Sequence, residues 1–313
     1  MSRSPAVPER GVVEGTGLLD LTAVGSAEDL AHIRAIRGVG TVLVPASLLA
    51  TLTAVPMEGV GAVVPVPDGL RANVHVGATV MDGQALADAG ETPAALVVVG
   101  ALVFTSPVER VGYQAIIVVG AVAAPRGSEA ALTRAMSKVT GTTHYYSWSG
   151  AETVRVFQGD TRCRGDVLAN PTGGPDDVAV VVGSMVLTSH VPRLGFREVV
   201  VIGTLIASDE SEALLSPALT TLGRAIWYTA PPRLFTGKER FGRGFFELLD
   251  EPVTLVLTGS FEFDPDVEPA VLKRSVAGIA LTGSARATRE LVPLLQLLAV
   301  HQTGVIEAFD DDR

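Results

Sequence analysis

The chain has 313 residues, of which 47% are apolar, 5% aromatic and 19% charged, and its formal charge is −10 at neutral pH. That acidic balance argues against a footprint for DNA, RNA or anionic lipid, each of which needs a basic face. A single cysteine, Cys163, excludes an internal disulfide framework and a multi-cysteine metal site.

Residues 1–17 are rich in Pro, Gly and Ser and carry no apolar segment of the kind a secretory signal requires. They are expected to be disordered, and the protein to be cytoplasmic. The apolar runs Ala94–Phe104 and Ala115–Pro125 have 11 residues each and are β-branched around a central glycine. A membrane-spanning helix needs about 20, so both runs predict buried strands and no membrane insertion. Residues 307–313 are expected to form an acidic, frayed tail.

Between these ends a glycine interrupts each apolar run, at Gly40, Gly59, Gly77, Gly100, Gly120, Gly141, Gly159, Gly183, Gly203, Gly223, Gly237, Gly259, Gly278 and Gly304. The spacing is about 20 residues, and a longer period is superposed on it. VRVFQGDTRCRGDVLANP (154–171) corresponds to PRLFTGKERFGRGFFELLDEP (232–252) and, more loosely, to ANVHVGATVMDGQALADAGETP (72–93). The stretch GTTHYYSW (141–148) corresponds in the same way to GRAIWYTA (223–230). These matches predict one domain over 18–306 with about 14 rungs, in supermodules at about 18–93, 94–171, 172–252 and 253–306.

One short helix is expected in each supermodule. Ser128 is placed to cap a helix carrying Leu132, Met136 and Val139 on one face. Ser216 and Pro217 read as the start of a helix that carries Leu219 and Leu222 and stops at Gly223. Leu48, Leu49 and Leu52 fill that role in the first copy, and Leu291, Leu294, Leu295 and Leu298 in the last.

A strand as uniformly apolar as LVVVGALVF must be covered on both faces, which is usual for parallel strands. The expected fold is therefore a repeat solenoid, mainly parallel β, with a doubly wound α/β fold as the alternative. The alternative needs a helix of 10 or more residues after each strand, and gaps such as 101–119 contain only a turn. The rung length and one-sided helices resemble a bacterial repeat β-solenoid, of leucine-rich-repeat-like or parallel β-helix-like architecture. The Val/Gly rungs are also similar to those of bactofilins, the bacterial β-helical polymer-forming proteins. The leucine-rich consensus carries Asn or Cys after its leucine strand, where this chain has valine runs broken by glycine.

No phosphate-loop, nucleophile-elbow or zinc-protease motif is present. The histidines His32, His75, His144, His190 and His301 are not spaced as metal ligands, and no cofactor is expected. Asp160 and Asp166 flank Arg162, Cys163 and Arg164, the one cluster that resembles the groove of a polysaccharide-cleaving β-helix enzyme. Asp264, Asp266 and Glu268 in FDPDVEP stand where SPVER and SHVPR stand in other copies, and read as a solvated turn. Cys163 reads either as a half-buried thiol or as a reactive one with its pKa lowered by the neighbouring arginines.

The aromatic residues cluster. Tyr145, Tyr146 and Trp148 fall in one rung, and Trp227 and Tyr228 in its counterpart. They form the candidate interaction surface, or else seal the helix against the stack. The expected function is a non-enzymatic scaffold that associates with itself or organises a partner protein. The alternatives are a protein- or peptide-binding solenoid and, after it, a carbohydrate-active β-helix enzyme.

Overall fold

The structure, a computed structural model, describes residues 11–88 and 93–309. The chain divides into two compact units, one ending at Gly150 and the other beginning at Ala151. Both consist mostly of parallel β-sheet with few helices, none longer than seven residues among those described.

The first unit opens with six short strands: β1 (Gly11–Glu14), β2 (Leu18–Asp20), β3 (Ile33–Arg37), β4 (Thr41–Pro45), β5 (Met57–Glu58) and β6 (Ala62–Val66). They pair as two parallel three-stranded sheets, β1-β3-β5 and β2-β4-β6. Strand β1 lies inside the segment expected to be disordered, and residues 1–10 lie outside the described residues. Helix α1 (Ala27–Leu30) starts where the Ser26 hydroxyl accepts from the Asp29 amide, and α2 (Leu49–Leu52) buries Leu52. A four-stranded parallel sheet follows, formed by β7 (Arg71–Met81), β8 (Ala94–Phe104), β9 (Ala115–Pro125) and β10 (Met136–Tyr146). Its return segments carry α3 (Gly83–Ala87), capped by Asp82, and α4 (Glu129–Ala135).

The second unit contains two such sheets. The first comprises β11 (Val154–Cys163), β12 (Val178–Leu187), β13 (Glu198–Ser208) and a last rung split into β14 (Leu219–Thr221) and β15 (Arg224–Tyr228), with α5 (Glu212–Leu215) before the split rung. The second runs β16 (Pro232–Phe241), β17 (Val253–Phe263), β18 (Val276–Ala287) and β19 (Ala299–Ala308). Helices α6 (Arg243–Glu247), α7 (Pro269–Ser275) and α8 (Val292–Leu298) return the chain between these four strands. The long sheets thus occupy 71–146, 154–228 and 232–308, and the expected limits at 93, 171 and 252 fall inside them or at a strand start. Strand β19 includes Glu307 and Ala308 from the segment expected to fray, whose residues 310–313 lie outside the described residues.

Glycine sets the register. Gly77, Gly100, Gly120 and Gly141 are paired across β7 to β10, and Gly159, Gly183 and Gly203 across β11 to β13. In the last sheet the ladder is Gly237, Gly259, Gly283 and Gly304. The expected Gly278 is replaced there by Gly283, because Gly278 instead pairs with Thr254 near the start of its strand. Gly120 has φ +137°, and a Cβ on it would collide with the carbonyl oxygen of Gly100 in the rung below.

Both faces of the inner long strands β8, β9, β12 and β13 are covered, as their apolar runs require. In the first unit Leu96, Val98, Leu102 and Phe104 pack with Ile116, Val118, Leu86 and Leu132 on one side. On the other side Ala95, Val97, Ala115 and Ile117 meet Leu43, Val64 and Val66 of the short-stranded sheet. In the second unit Val186, Ile206, Ile226 and Tyr228 pack face to face with Val256 and Ala280. Six of the ten phenylalanines, Phe235, Phe241, Phe245, Phe246, Phe261 and Phe263, fill the helix side of the last sheet, with ring centroids 5.0–6.2 Å apart.

Two expected helices end early. Helix α4 stops at Ala135, so Met136 and Val139 lie in β10. The helix expected from Ser216 is a single 3-10 turn over Ser216–Ala218, with Pro217 in its first turn and α5 just before it, and Leu219 already lies in β14. The cause is the same in both places. Stacking a further strand on β9 or β13 pairs a row of backbone groups that a longer helix would leave open.

The stack makes a direct prediction. Gly120→Ala, which combines backbone strain with a steric collision, is expected to destabilise the chain by about 3 kcal/mol or more. Gly77→Ala has φ +96° and open space around the added methyl, and should cost only the strain, about 1–2 kcal/mol. Denaturant midpoints of the two variants check the difference.

Candidate functional site: the open strand edges

Tyr145, Tyr146 and Trp148 belong to the first unit and Trp227 and Tyr228 to the second, and within neither unit do they form a fully exposed patch. Tyr146 and Tyr228 are buried, and each hydroxyl donates to a backbone carbonyl two rungs back: Tyr146 to Phe104, and Tyr228 to Leu187 at 2.6 Å. Tyr145 and Trp227 pack partly buried against the cores of their own sheets, and Trp148 is half-buried beyond the end of β10. The pairs Tyr145–Tyr146 and Trp227–Tyr228 therefore close the last rung of equivalent sheets.

The same equivalence governs two serines. The Ser128 hydroxyl accepts from the Val108 amide at 2.9 Å, and the Ser211 hydroxyl from the Val191 amide at 2.8 Å. Each fixes the turn after the second strand of its sheet to the return segment that follows the third. The sequence had marked Ser128 as a helix cap; its side chain instead satisfies a neighbouring turn.

Asp160 and Asp166 stand on different elements. Asp160 is exposed in β11, where Asp160, Thr161 and Arg162 line a shallow groove of about 80 Å³ with Leu234, Phe235 and Thr236 of β16. Asp166 sits in the turn after β11, 3.9 Å from the Arg164 guanidinium. Burial, and after it the Asp166 carboxylate, push the Cys163 thiol up from its ordinary value. The pKa lowering expected from the two arginines is therefore reversed, because Cys163 packs partly against the sheet core. In the FDPDVEP turn, Asp264 pairs with Arg240, and Glu268 with Arg243. Among the described residues no group of three His, Cys, Asp or Glu side chains is placed to hold a metal ion.

His32, His75 and His190 are exposed, while His144 and His301 are half-buried. His301 of β19 contacts Arg224 of β15, which also bonds Thr303. That contact and the groove beside β11 and β16 give the relation of the two sheets in this unit. First strand lies beside first strand, and last beside last.

From the sequence, the end rungs are Gly15–Val24 and Gly304–Phe309, placed for end-to-end association; what it did not single out are the strand edges within the chain. Each long sheet runs in chain order, so β7, β11 and β16 begin a sheet and β10, the split rung and β19 end one. Thr236–Arg240 of β16 and Gln302–Val305 of β19 are exposed around their glycines. In parallel strands, half of the edge backbone groups point outward, a template for a further strand. On the last sheet the edges belong to a side-chain ladder: Thr236, Thr258, Thr282 and Thr303 are in register, one residue before each glycine. Three residues after the glycine the ladder reads Arg240, Glu262, Arg286 and Glu307, with opposite charges alternating from strand to strand. Arg286 Nε lies 2.8 Å from Glu307. A signal for this was present in the sequence as TGKER, TGSFE, TGSAR and TGVIE, recurring with alternating final charge.

Compared with protein-family models, curated proteins and solved structures, the chain shows no significant match. No described helix is long and apolar enough to cross a membrane.

Two outcomes follow from this geometry. Tyr146→Phe and Tyr228→Phe each remove one buried hydrogen bond and are expected to cost about 1–2 kcal/mol in unfolding measurements. Burial, assisted by the Arg224 guanidinium, holds the His301 ring below the ordinary histidine range. The unfolded chain then binds the extra proton first, so this site's stability contribution is present at neutral pH and declines as pH falls below about 6.5. His301→Gln should make that decline shallower, read from urea midpoints at neutral and mildly acidic pH.

Proposed function

We propose that the chain is a non-enzymatic scaffold whose units are short β-solenoids that associate through their open strand edges. The solenoid reading, leucine-rich-repeat-like or β-helix-like, is supported by the rungs themselves. Consecutive strands pair in chain order, and the connection 105–114 between β8 and β9 contains no helix. A doubly wound α/β sheet needs longer crossover helices at these places.

The observation that carries the scaffold reading is the pair of parallel edges on the last sheet, exposed around Gly237 of β16 and Gly304 of β19. An edge with unpaired backbone, glycine at its centre and few bulges accepts another strand unless it is covered or charged against pairing. Part of the apolar exposure falls at such places: Val76 on β7, and Val300 and Val305 on β19, are each more than half exposed. A second reading uses the same edges to take up a strand of a different protein.

Sedimentation velocity over a concentration series separates these readings. Self-association predicts species that grow in mass as concentration rises into the high micromolar range. A constant monomer mass throughout would remove the scaffold reading and leave the edges to a different protein.

A further inference from the structure

We propose that the second unit joins head-to-tail with a second copy of this chain, the β11 and β16 edges of one copy seating on the split-rung and β19 edges of the next. The proposal rests on the self-associating reading and adds the surfaces, the register and the polarity.

The first argument is continuity of pairing. Within each sheet every step is parallel, with glycine beside glycine. Seating β16 of a second copy on β19 repeats that step, with Thr236 beside Thr303 and Gly237 beside Gly304. A contact between two β19 edges, related by a two-fold axis, would run antiparallel and break the pattern.

The second argument is charge. The ladder Arg240, Glu262, Arg286, Glu307 begins with a cation on the first strand and ends with an anion on the last. Arg240 of the next copy therefore falls beside Glu307 and continues the alternation. The neighbouring sheet has its own ladder one residue after the glycine: Asp160, Ser184, Thr204 and Arg224. Here the anion begins the sheet and the cation ends it. First strands lie together and last strands lie together, so one translation along the stack brings Arg240 to Glu307 and Asp160 to Arg224. Two independent sheets thus demand the same partner in the same register, with opposite charge sense.

The third argument is the exposed apolar surface at the two ends. Leu297 of α8 and Val300 of β19 are 79% and 55% exposed at the last strand, and Leu248, at the end of α6 in the return segment after the first strand, is 83% exposed. A contact in which different surfaces meet does not close on itself unless its rotation returns it, so the expected product is an open row of copies.

The test uses two full-length variants. Arg224→Glu with Glu307→Lys reverses the last-strand end, and Asp160→Lys with Arg240→Glu reverses the first-strand end. Each variant alone is expected to associate about tenfold more weakly than the unaltered chain. An equimolar mixture should recover assembly, because every contact then joins two matched ends. A mixture as dissociated as its components, beside an associating unaltered chain, overturns the head-to-tail proposal and leaves self-association standing. An unaltered chain that stays monomeric overturns both.

A second measurement covers the case in which a reversed variant fails to fold. Thr236→Cys with Thr303→Cys, in a Cys163→Ser background, is treated with a short bismaleimide. A covalent series extending beyond dimers is expected. No cross-linking, or dimers formed equally well by Thr303→Cys alone, overturns the register.

Discussion

The constraint on which the long sheets depend is the approach of one glycine backbone to the next. In a parallel stack with φ near +137° at the centre of a strand, the α-carbon hydrogen points at the carbonyl of the rung below. A methyl group has no room there. Register slippage would move a side chain into the collision. Glycine thereby acts as negative information: it excludes every register but one.

The apolar residues act on that frame without determining it. Val, Ile and Leu flank the glycine on both sides and are buried on both faces in β8, β9, β12 and β13. One face is sealed by the return segments and short helices, the other by a neighbouring sheet within the same unit. Several polar groups enter the interior where they satisfy a turn, whereas the Thr254 hydroxyl of β17 is buried without a hydrogen-bond partner. The Asn170 amide shows the pattern, donating to the carboxylate of Asp177 at 2.9 Å and to the Gly174 and Gly195 carbonyls at 3.1 Å. Asp177 in turn accepts from the Thr153 and Gly174 amides, and these bonds, the Asn170 one foremost, hold its carboxyl below the usual range.

Much of this was legible in the sequence, because strand period and glycine spacing are local properties. The runs around Gly100, Gly120, Gly183 and Gly203 announced buried parallel strands of the length observed. The ladder failed at Gly278 because Ala277-Gly278 and Thr282-Gly283 both sit in apolar surroundings, and only pairing with Gly259 distinguishes them. The helices were overrun at Met136 and Leu219 for a related reason. Local propensity continues the helix there, while the demand of the open edge behind it favours a strand. Tyr146 and Tyr228 were legible as equivalents, yet their role was hidden, since the carbonyls they reach lie 42 and 41 residues away.

The internal edges were illegible for a deeper reason. An edge is a property of where pairing stops, and no residue type marks it. What the sequence does hold is the alternating charge three residues after the threonine–glycine step, whose meaning appears only when the four strands are laid side by side. An isolated exposed ion pair contributes little, about 0–1 kcal/mol, so Arg286 and Glu307 do not explain the stability of the sheet. Their value lies in discrimination. Glycine fixes the register of a strand that is already aligned, but not which end of a second copy is presented. In the proposed head-to-tail row, charges of opposite sign at opposite ends, repeated with reversed sense in the adjoining sheet, would penalise the wrong end.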